Sequence, residues 1–215
     1  MIRHTAPMKK ALIDKETEGM AGTGDLRERL VAEAAAILET QGLDAVTLRA
    51  VAGAAGVSHM APYRHFADKD SLLAAVAERG FRALSADMGA AAGGERDTAA
   101  RLHAFGMAYL AFARRRPALY RLMFGPALAC KPQSAGLAEA GGEAFAHCAD
   151  AVAAIVRERG AAPDTDPRAL AIATWSLVHG LAMLLIDRRL DLPEDARAQD
   201  ELIGQVLVLH GKAFG

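Results

Sequence analysis

Residues 47–66 read TLRAVAGAAGVSHMAPYRHF, and their spacing decides the fold. Leu48, Val51, Ala52 and Ala55 fall at the i, i+3, i+4, i+7 positions that make the apolar face of a short helix. Ala52 is small enough to let a second helix cross closely. Gly56 can take the positive φ that ends a helix and turns the chain sharply. Val57 then covers the junction, and Ser58 suits the N-cap of a following helix. The stretch therefore predicts two short helices around a tight turn. That shape fits a helix-turn-helix or an ordinary helical corner.

Charge separates those two readings. No acidic residue stands between Asp44 and Asp68, whereas Arg49, His59, Arg64 and His65 all fall inside. Residues 25–80 carry six Arg or Lys and eight Asp or Glu, a net charge of −2 with His neutral. Such a unit does not coat polyanions indiscriminately. Its positive potential is concentrated on one small element, as a specific reader of duplex DNA requires.

The same residues carry a family pattern. Gly42, Thr47-Leu48-Arg49-Ala50-Val51-Ala52, Ala55-Gly56-Val57-Ser58, Tyr63-Arg64-His65-Phe66 and Lys69-Asp70-Ser71-Leu72-Leu73 stand at fixed offsets. Through them the segment from Leu26 to Leu84 resembles the amino-terminal domain of TetR-type (tetracycline-repressor-like) transcriptional regulators. The pattern departs at Pro62, where the family usually has Leu or Ile. A missing N–H is tolerable in the first helical turn, but a bend is expected after it.

The resemblance implies a role for each position. Thr47 would offer hydroxyl and backbone N–H to a phosphate. Ser58, His59 and Met60 would open a recognition helix, with Met60 placed to meet a thymine methyl. Tyr63 and His65 resemble the backbone-positioning residues, with His65 also in reach of a base. Lys69 resembles the phosphate-facing lysine at the start of the fourth helix, while Arg49 and Arg64 add positive charge. Phe66 belongs to the core.

Length and composition agree with a helical regulator. A chain of 215 residues can hold a small DNA-binding unit and a body with its own core. Alanine and leucine dominate, aromatics are 5%, and β-branched runs are missing, so the chain is expected to be all-α. Two cysteines, Cys130 and Cys148, do not make a disulfide framework and suit a reducing cytoplasm. The polar, glycine-containing opening lacks the apolar core of a signal peptide. Residues 1–23 read as a disordered arm, whose Lys9, Lys10 and Lys15 would suit a minor groove. The DNA-binding unit is then expected over 24–70 and a helical effector-binding and dimerisation domain over 71–215.

Along the chain, Leu26, Leu30, Ala34, Ile37 and Leu38 predict a first helix to Gln41, with Asp25 and Glu28 at capping-box spacing. A fourth helix is expected from Asp68 as N-cap, its core face made by Leu72, Leu73, Val76, Phe81 and Leu84, with a loop at Ala90–Gly94. The body shows helical patterns at 97–115, 117–124, 135–159, 167–188 and 195–213, punctuated by prolines. Leu170–Ile186 is apolar apart from Thr174, Ser176 and His179. At 17 residues it sits at the short limit for a membrane span and has no partner span, so it reads as a helix buried in the core or a subunit interface. The last helix is expected to present Leu202, Ile203, Val206, Leu209 and His210 on one side.

Trp175 and His179 are one helical turn apart and share a face. With Gly180 they resemble the Trp…His-Gly signature of the WHG carboxy-terminal subgroup. The resemblance implies a homodimer through the last two helices and a small-molecule effector cavity in the body. Candidate walls are Phe105, Tyr109, Tyr120, Met123, Phe124, Phe145, His147, Trp175 and His179, although aromatic and Met side chains at helical spacing are commonly plain core. A body that contacts a protein and takes no ligand is the alternative, and an exposed Cys130 beside Lys131 would suit a redox sensor. No nucleophile elbow, phosphate loop or paired-His zinc spacing stands in the sequence, and the seven histidines are scattered. Neither enzyme chemistry nor a cofactor is expected.

Overall fold

The computed structural model describes residues 25–95, 97–129, 134–159 and 166–212. The expected amino-terminal arm and Cys130 lie outside them. All regular structure among the described residues is helical, and the chain divides after Val76 into two compact units.

The first unit opens with α1, residues 25–41. Leu30, Val31, Ala34, Ile37 and Leu38 are buried along its inner face. Each buried Leu, Val or Ile among them contributes about 1.5–3 kcal/mol relative to exposure. Gly42, at φ 86, ends the helix, and its amide donates to the Leu38 carbonyl at 3.1 Å. A 3-10 turn that the sequence did not announce comes next, at Leu43–Ala45. Helix α2 covers Leu48–Ala54, capped by the Thr47 side chain, which accepts from the Ala50 amide. Leu48, Val51, Ala52 and Ala55 are all buried, as their spacing requires.

The turn after α2 is a Schellman motif. The Gly56 amide donates to the Gly53 carbonyl and the Val57 amide to the Ala52 carbonyl, while Gly56 sits at φ 67. The next segment departs from expectation. Instead of an α-helix capped by Ser58, the chain makes a turn at His59–Met60 and a 3-10 helix at Pro62–Arg64. Pro62 has no N–H to give the Ser58 carbonyl, and its ring crowds that oxygen. The Ser58 carbonyl accepts from the Ala61 amide, one residue earlier, at 2.9 Å. Pro62 itself is buried.

Helix α3 runs Lys69–Ala92 and enters the second unit. Asp68 caps it reciprocally with Ser71: the Ser71 amide donates to the carboxylate at 2.8 Å and the Asp68 amide to the Ser71 hydroxyl at 3.2 Å. The helix continues through Ala90–Ala92, which the sequence reading placed in a loop, and turns only at Gly93–Gly94. Ala92, 4% exposed, supplies the burial that holds this last turn.

The second unit contains α4 (Thr98–Arg115), α5 (Pro117–Phe124), a short α6 (Pro126–Ala129), α7 (Ala135–Arg159), α8 (Pro167–Ile186) and α9 (Ala196–Lys212). Asp97, Asp166 and Asp195 cap α4, α8 and α9 with side-chain oxygens. Pro117 and Pro167 open their helices, where a missing N–H is harmless. Helix α4 packs against α7, α8 and α9. At the α4–α9 contact a Cβ on Gly106 would lie 2.8 Å from Leu207 Cδ1, so only glycine fits unless Leu207 moves.

One face differs from the sequence reading, and a second is only partly covered. On α9, Ile203 and Leu207 turn inward, whereas Leu202 and Leu209 are 39% and 65% exposed. The helix has two apolar sides, and Leu207, not Leu209, serves the core. Helix α8 is apolar enough to cross a membrane by length and composition, with mean hydropathy 2.0, yet only 28% of that window is buried within the chain. Ile172 and Leu184 face outward. Its burial within the single chain is therefore partial.

Candidate nucleic-acid interface and body cavity

The first unit exposes the residues that the charge pattern singled out. Thr47, Arg49, Ser58, His59, Tyr63 and Arg64 are exposed, and Met60 is 59% exposed despite its apolar side chain. The turn that carries Tyr63 and Arg64 packs against α2. Gly53, inside α2, has nothing within 4 Å of a would-be Cβ, so intrachain packing does not explain it. His65 is half-buried, with its ring 6.4 Å from that of Phe66, which is buried.

Lys69 is engaged inside the unit. Its Nζ donates to the Leu43 carbonyl at 2.9 Å, tying the start of α3 to the first 3-10 turn. An ammonium has three donors, so this bond leaves two. Two residues that the sequence reading passed over brace the same unit. Arg29 Nη2 donates to the Ala55 carbonyl at 2.8 Å, holding the end of α2. The Arg27 guanidinium stands 5.4 Å from the Phe66 ring centroid. Neither bears a local signal, because each partner lies some 25 or more residues away.

The second unit holds a cavity of about 470 Å³, open to solvent on one side, between α4, α7, α8 and α9, with Met88 of α3 in its lining. Of the expected walls, Phe105, Tyr109 and Trp175 line it. Leu102, Cys148, Ile155, Val178 and Leu207, absent from the sequence-based set, complete its apolar surface. The other expected residues lie elsewhere. Tyr120, Phe124 and His179 form an aromatic cluster with Tyr109 and Trp175, with Phe124 4.8 Å from both Tyr120 and His179. Phe145 packs edge-on against Trp175 at 5.5 Å. His147 stands 5.4 Å from Phe105 and shares a 2.8 Å hydrogen bond with Ser85. Met123 packs on Gly80.

Inside the aromatic cluster three polar atoms meet. The hydroxyls of Tyr109 and Tyr120 are 2.8 Å apart, and His179 Nδ1 lies 2.7 Å from Tyr120 and 3.1 Å from Tyr109. Burial pushes both phenols far above their ordinary value, with each other's proximity adding to Tyr109. Burial lowers the His179 pKa, so the imidazole stays neutral. The arrangement that satisfies all three by the shorter contacts has Tyr109 donating to Tyr120 and Tyr120 donating to Nδ1. Thr174 behaves similarly: its hydroxyl donates to the Leu170 carbonyl at 2.8 Å and lies 3.0 Å from His210 Nε2. Cys148 is buried, its thiol pushed up to about 12 by desolvation and 3.8 Å from the Ala171 carbonyl. Such a thiol packs; it is not a nucleophile. Gly180, beyond His179, is exposed with open space around it.

Comparisons with known proteins agree with this division. Residues 30–76 match the family model "Bacterial regulatory proteins, tetR family", and residues 102–206 match "Tetracyclin repressor-like, C-terminal domain". A nucleoid occlusion factor SlmA of Photobacterium profundum is 36% identical over 103 residues, which is 47% of this chain and 53% of that protein. The chain thus spans about half the length of the curated relatives it matches. A solved protein of unknown function from Rhodococcus sp. RHA1 superposes with TM-score 0.77 at 31% identity, covering 88% of this chain and 95% of its own. A TetR family transcription regulator from Marinobacter aquaeolei shares the fold at TM-score 0.65 and 15% identity, over 91% of this chain and 97% of its own. With both units matched, the chain belongs to the TetR family of DNA-binding bacterial regulatory proteins.

Proposed function

We propose that the protein is a cytoplasmic one-component repressor, released from a pseudo-palindromic operator when a small molecule enters the helical body. The observation that carries the reading is the pairing of an exposed, acid-free reading element at residues 47–66 with a separate body that holds a cavity of about 470 Å³. Cavities of roughly 300–1,000 Å³ are the usual size for small-molecule sites. Residues 24–70 serve as the DNA reader and 71–215 as the sensing and dimerising body. Thr47, Arg49, Ser58, His59, Met60, Tyr63, Arg64, His65 and Lys69 meet the duplex, and the run with Trp175, His179 and Gly180 resembles the signature of the WHG subgroup.

The protein acts as a homodimer through α8 and α9. Ile172 and Leu184 on one helix, and Leu202, Val208 and Leu209 on the other, are large, apolar and exposed, and a symmetry mate would cover them. Two recognition elements about one DNA turn apart, ~34 Å, would then meet successive major grooves. To empty the operator, an effector must favour the released conformer by roughly 10⁴-fold. Footprinting on the organism's own DNA tests this. A symmetric protected site that a cavity ligand abolishes is expected; binding that no cavity ligand alters would remove the sensor.

The exposed apolar residues of α8 and α9 would equally serve a second reading, in which the body contacts a protein and takes no ligand. In that case filling the cavity with larger side chains leaves function intact.

A further inference from the structure

Among residues 58–64 only Pro62 is buried; Ser58, His59, Met60, Tyr63 and Arg64 are exposed around it. The proline ring therefore packs within the unit and acts on the reading surface from beneath. Its effect is to remove a donor. An α-helix begun at Ser58 would join the amide of residue 62 to the Ser58 carbonyl, and proline has no N–H to give. Three-residue steps form instead. The Ala61 amide donates to the Ser58 carbonyl at 2.9 Å, the Arg64 amide to Ala61 at 3.2 Å, and the His65 amide to Pro62 at 2.9 Å. Four-residue spacing returns with the Phe66 amide, which also donates to the Pro62 carbonyl at 2.9 Å.

That spacing decides which side chains stand in line. At about three residues per turn, positions three apart eclipse, whereas in an α-helix they stand about 60° apart. Met60 and Tyr63 are three apart, and they are 59% and 53% exposed. They make an apolar and aromatic ridge on a surface otherwise formed by Ser58, His59 and Arg64. His59 and Tyr63 would share a face in an α-helix, roughly 40° apart, but diverge by about 120° in three-residue turns. The major groove offers such a ridge one apolar counterpart, the C5-methyl of thymine.

We infer that Pro62 is a positioning residue for sequence reading: it aligns Met60 with Tyr63 into a ridge that seats on thymine methyls, and leaves His59 to read a separate base pair. This rests on the DNA-reader reading above and names the base feature it recognises.

The test selects duplexes from a random-sequence library with the full chain, then replaces each thymine of the preferred duplex by uracil, which removes only the methyl. The wild type should lose about fourfold in affinity per contacted methyl, and Met60→Ala should abolish the loss at one thymine at least. Pro62→Ala, which restores the N–H, should select a different base at those positions with an unchanged salt slope. Pro62→Leu, which fills the buried space, should do the same. Uracil tolerated at every thymine overturns the ridge, and this series needs no variant to fold. A proline variant, shown folded by its Tm, that selects the wild-type sequence overturns the positioning role. If the full chain enriches no duplex at about 50 mM salt, the DNA-reader reading itself fails.

Discussion

The Tyr120 hydroxyl lies 2.7 Å from His179 Nδ1, joining α5 to α8 through a part-buried contact in which a neutral imidazole accepts the hydroxyl proton. This contact makes stability depend on pH. Burial lowers the folded-state pKa of His179 below the ordinary 6.5, so on acidification the unfolded chain takes up this proton first. Stability tied to His179 is fully present above about pH 6.5 and is lost as pH falls from there through the folded-state value. His210, lowered by the same cause, adds in the same direction. Thermal unfolding between pH 7.5 and 5 should show Tm falling. His179→Asn, which keeps a polar atom where Nδ1 stood, should flatten that fall. An unchanged slope would mean that His179 does not titrate in this window.

Gly53 and Gly56 stand three residues apart and should respond oppositely to alanine. Gly53 is helical, with nothing near a would-be Cβ, so Gly53→Ala should stabilise by ~1 kcal/mol. Gly56 has equal room, but its φ of 67 penalises any Cβ, so Gly56→Ala should cost about 1–2 kcal/mol. Urea unfolding of both variants checks the pair. Equal effects would contradict the Schellman geometry.

Lys69 is expected to act twice, on the Leu43 carbonyl within the fold and on a DNA phosphate. Lys69→Ala should therefore destabilise by about 1–2 kcal/mol and also lower the salt slope of DNA binding by about 1. His59→Ala, at an exposed position, should leave stability within about 0.5 kcal/mol and shift base preference instead. A lost stability with an unchanged slope would reduce Lys69 to its structural bond.

The exposed apolar residues of α8 and α9 predict the assembly. Leu184→Glu and Leu209→Glu, at positions 42% and 65% exposed in one chain, should yield folded monomers in sedimentation and weaken operator binding by well over about tenfold, since each half-site alone binds poorly. Dimers of unchanged stability would move the interface elsewhere.

How much of this was readable depended on how local each signal was. Thr47, Asp68 and Pro167 mark helix starts within a few residues of the atoms they serve, so those boundaries came from them. The register of α2 came from Leu48, Val51, Ala52 and Ala55 because one helical face decides it. Pro62 announced a bend, yet its replacement of α-helix by 3-10 turn depended on how the Ser58 carbonyl found another donor. Leu207 and Leu209 differ by two positions on a helix with two apolar sides, and only the neighbour across the contact, Gly106 of α4, selects which turns inward. The same non-locality hid the cavity. Tyr109 and Tyr120 sit on successive helices, and nothing in their spacing says that one lines the chamber while the other hydrogen-bonds behind it.

The most direct test of the central claim, that residues 47–66 read duplex DNA, is the affinity of the purified protein for its own upstream DNA across a salt series, with Arg64→Ala in parallel. The account predicts log affinity falling linearly with log salt, a symmetric protected site, and a slope reduced by about 1 in the variant. No binding to duplex DNA even at about 50 mM salt, where phosphate contacts are strongest, would contradict it.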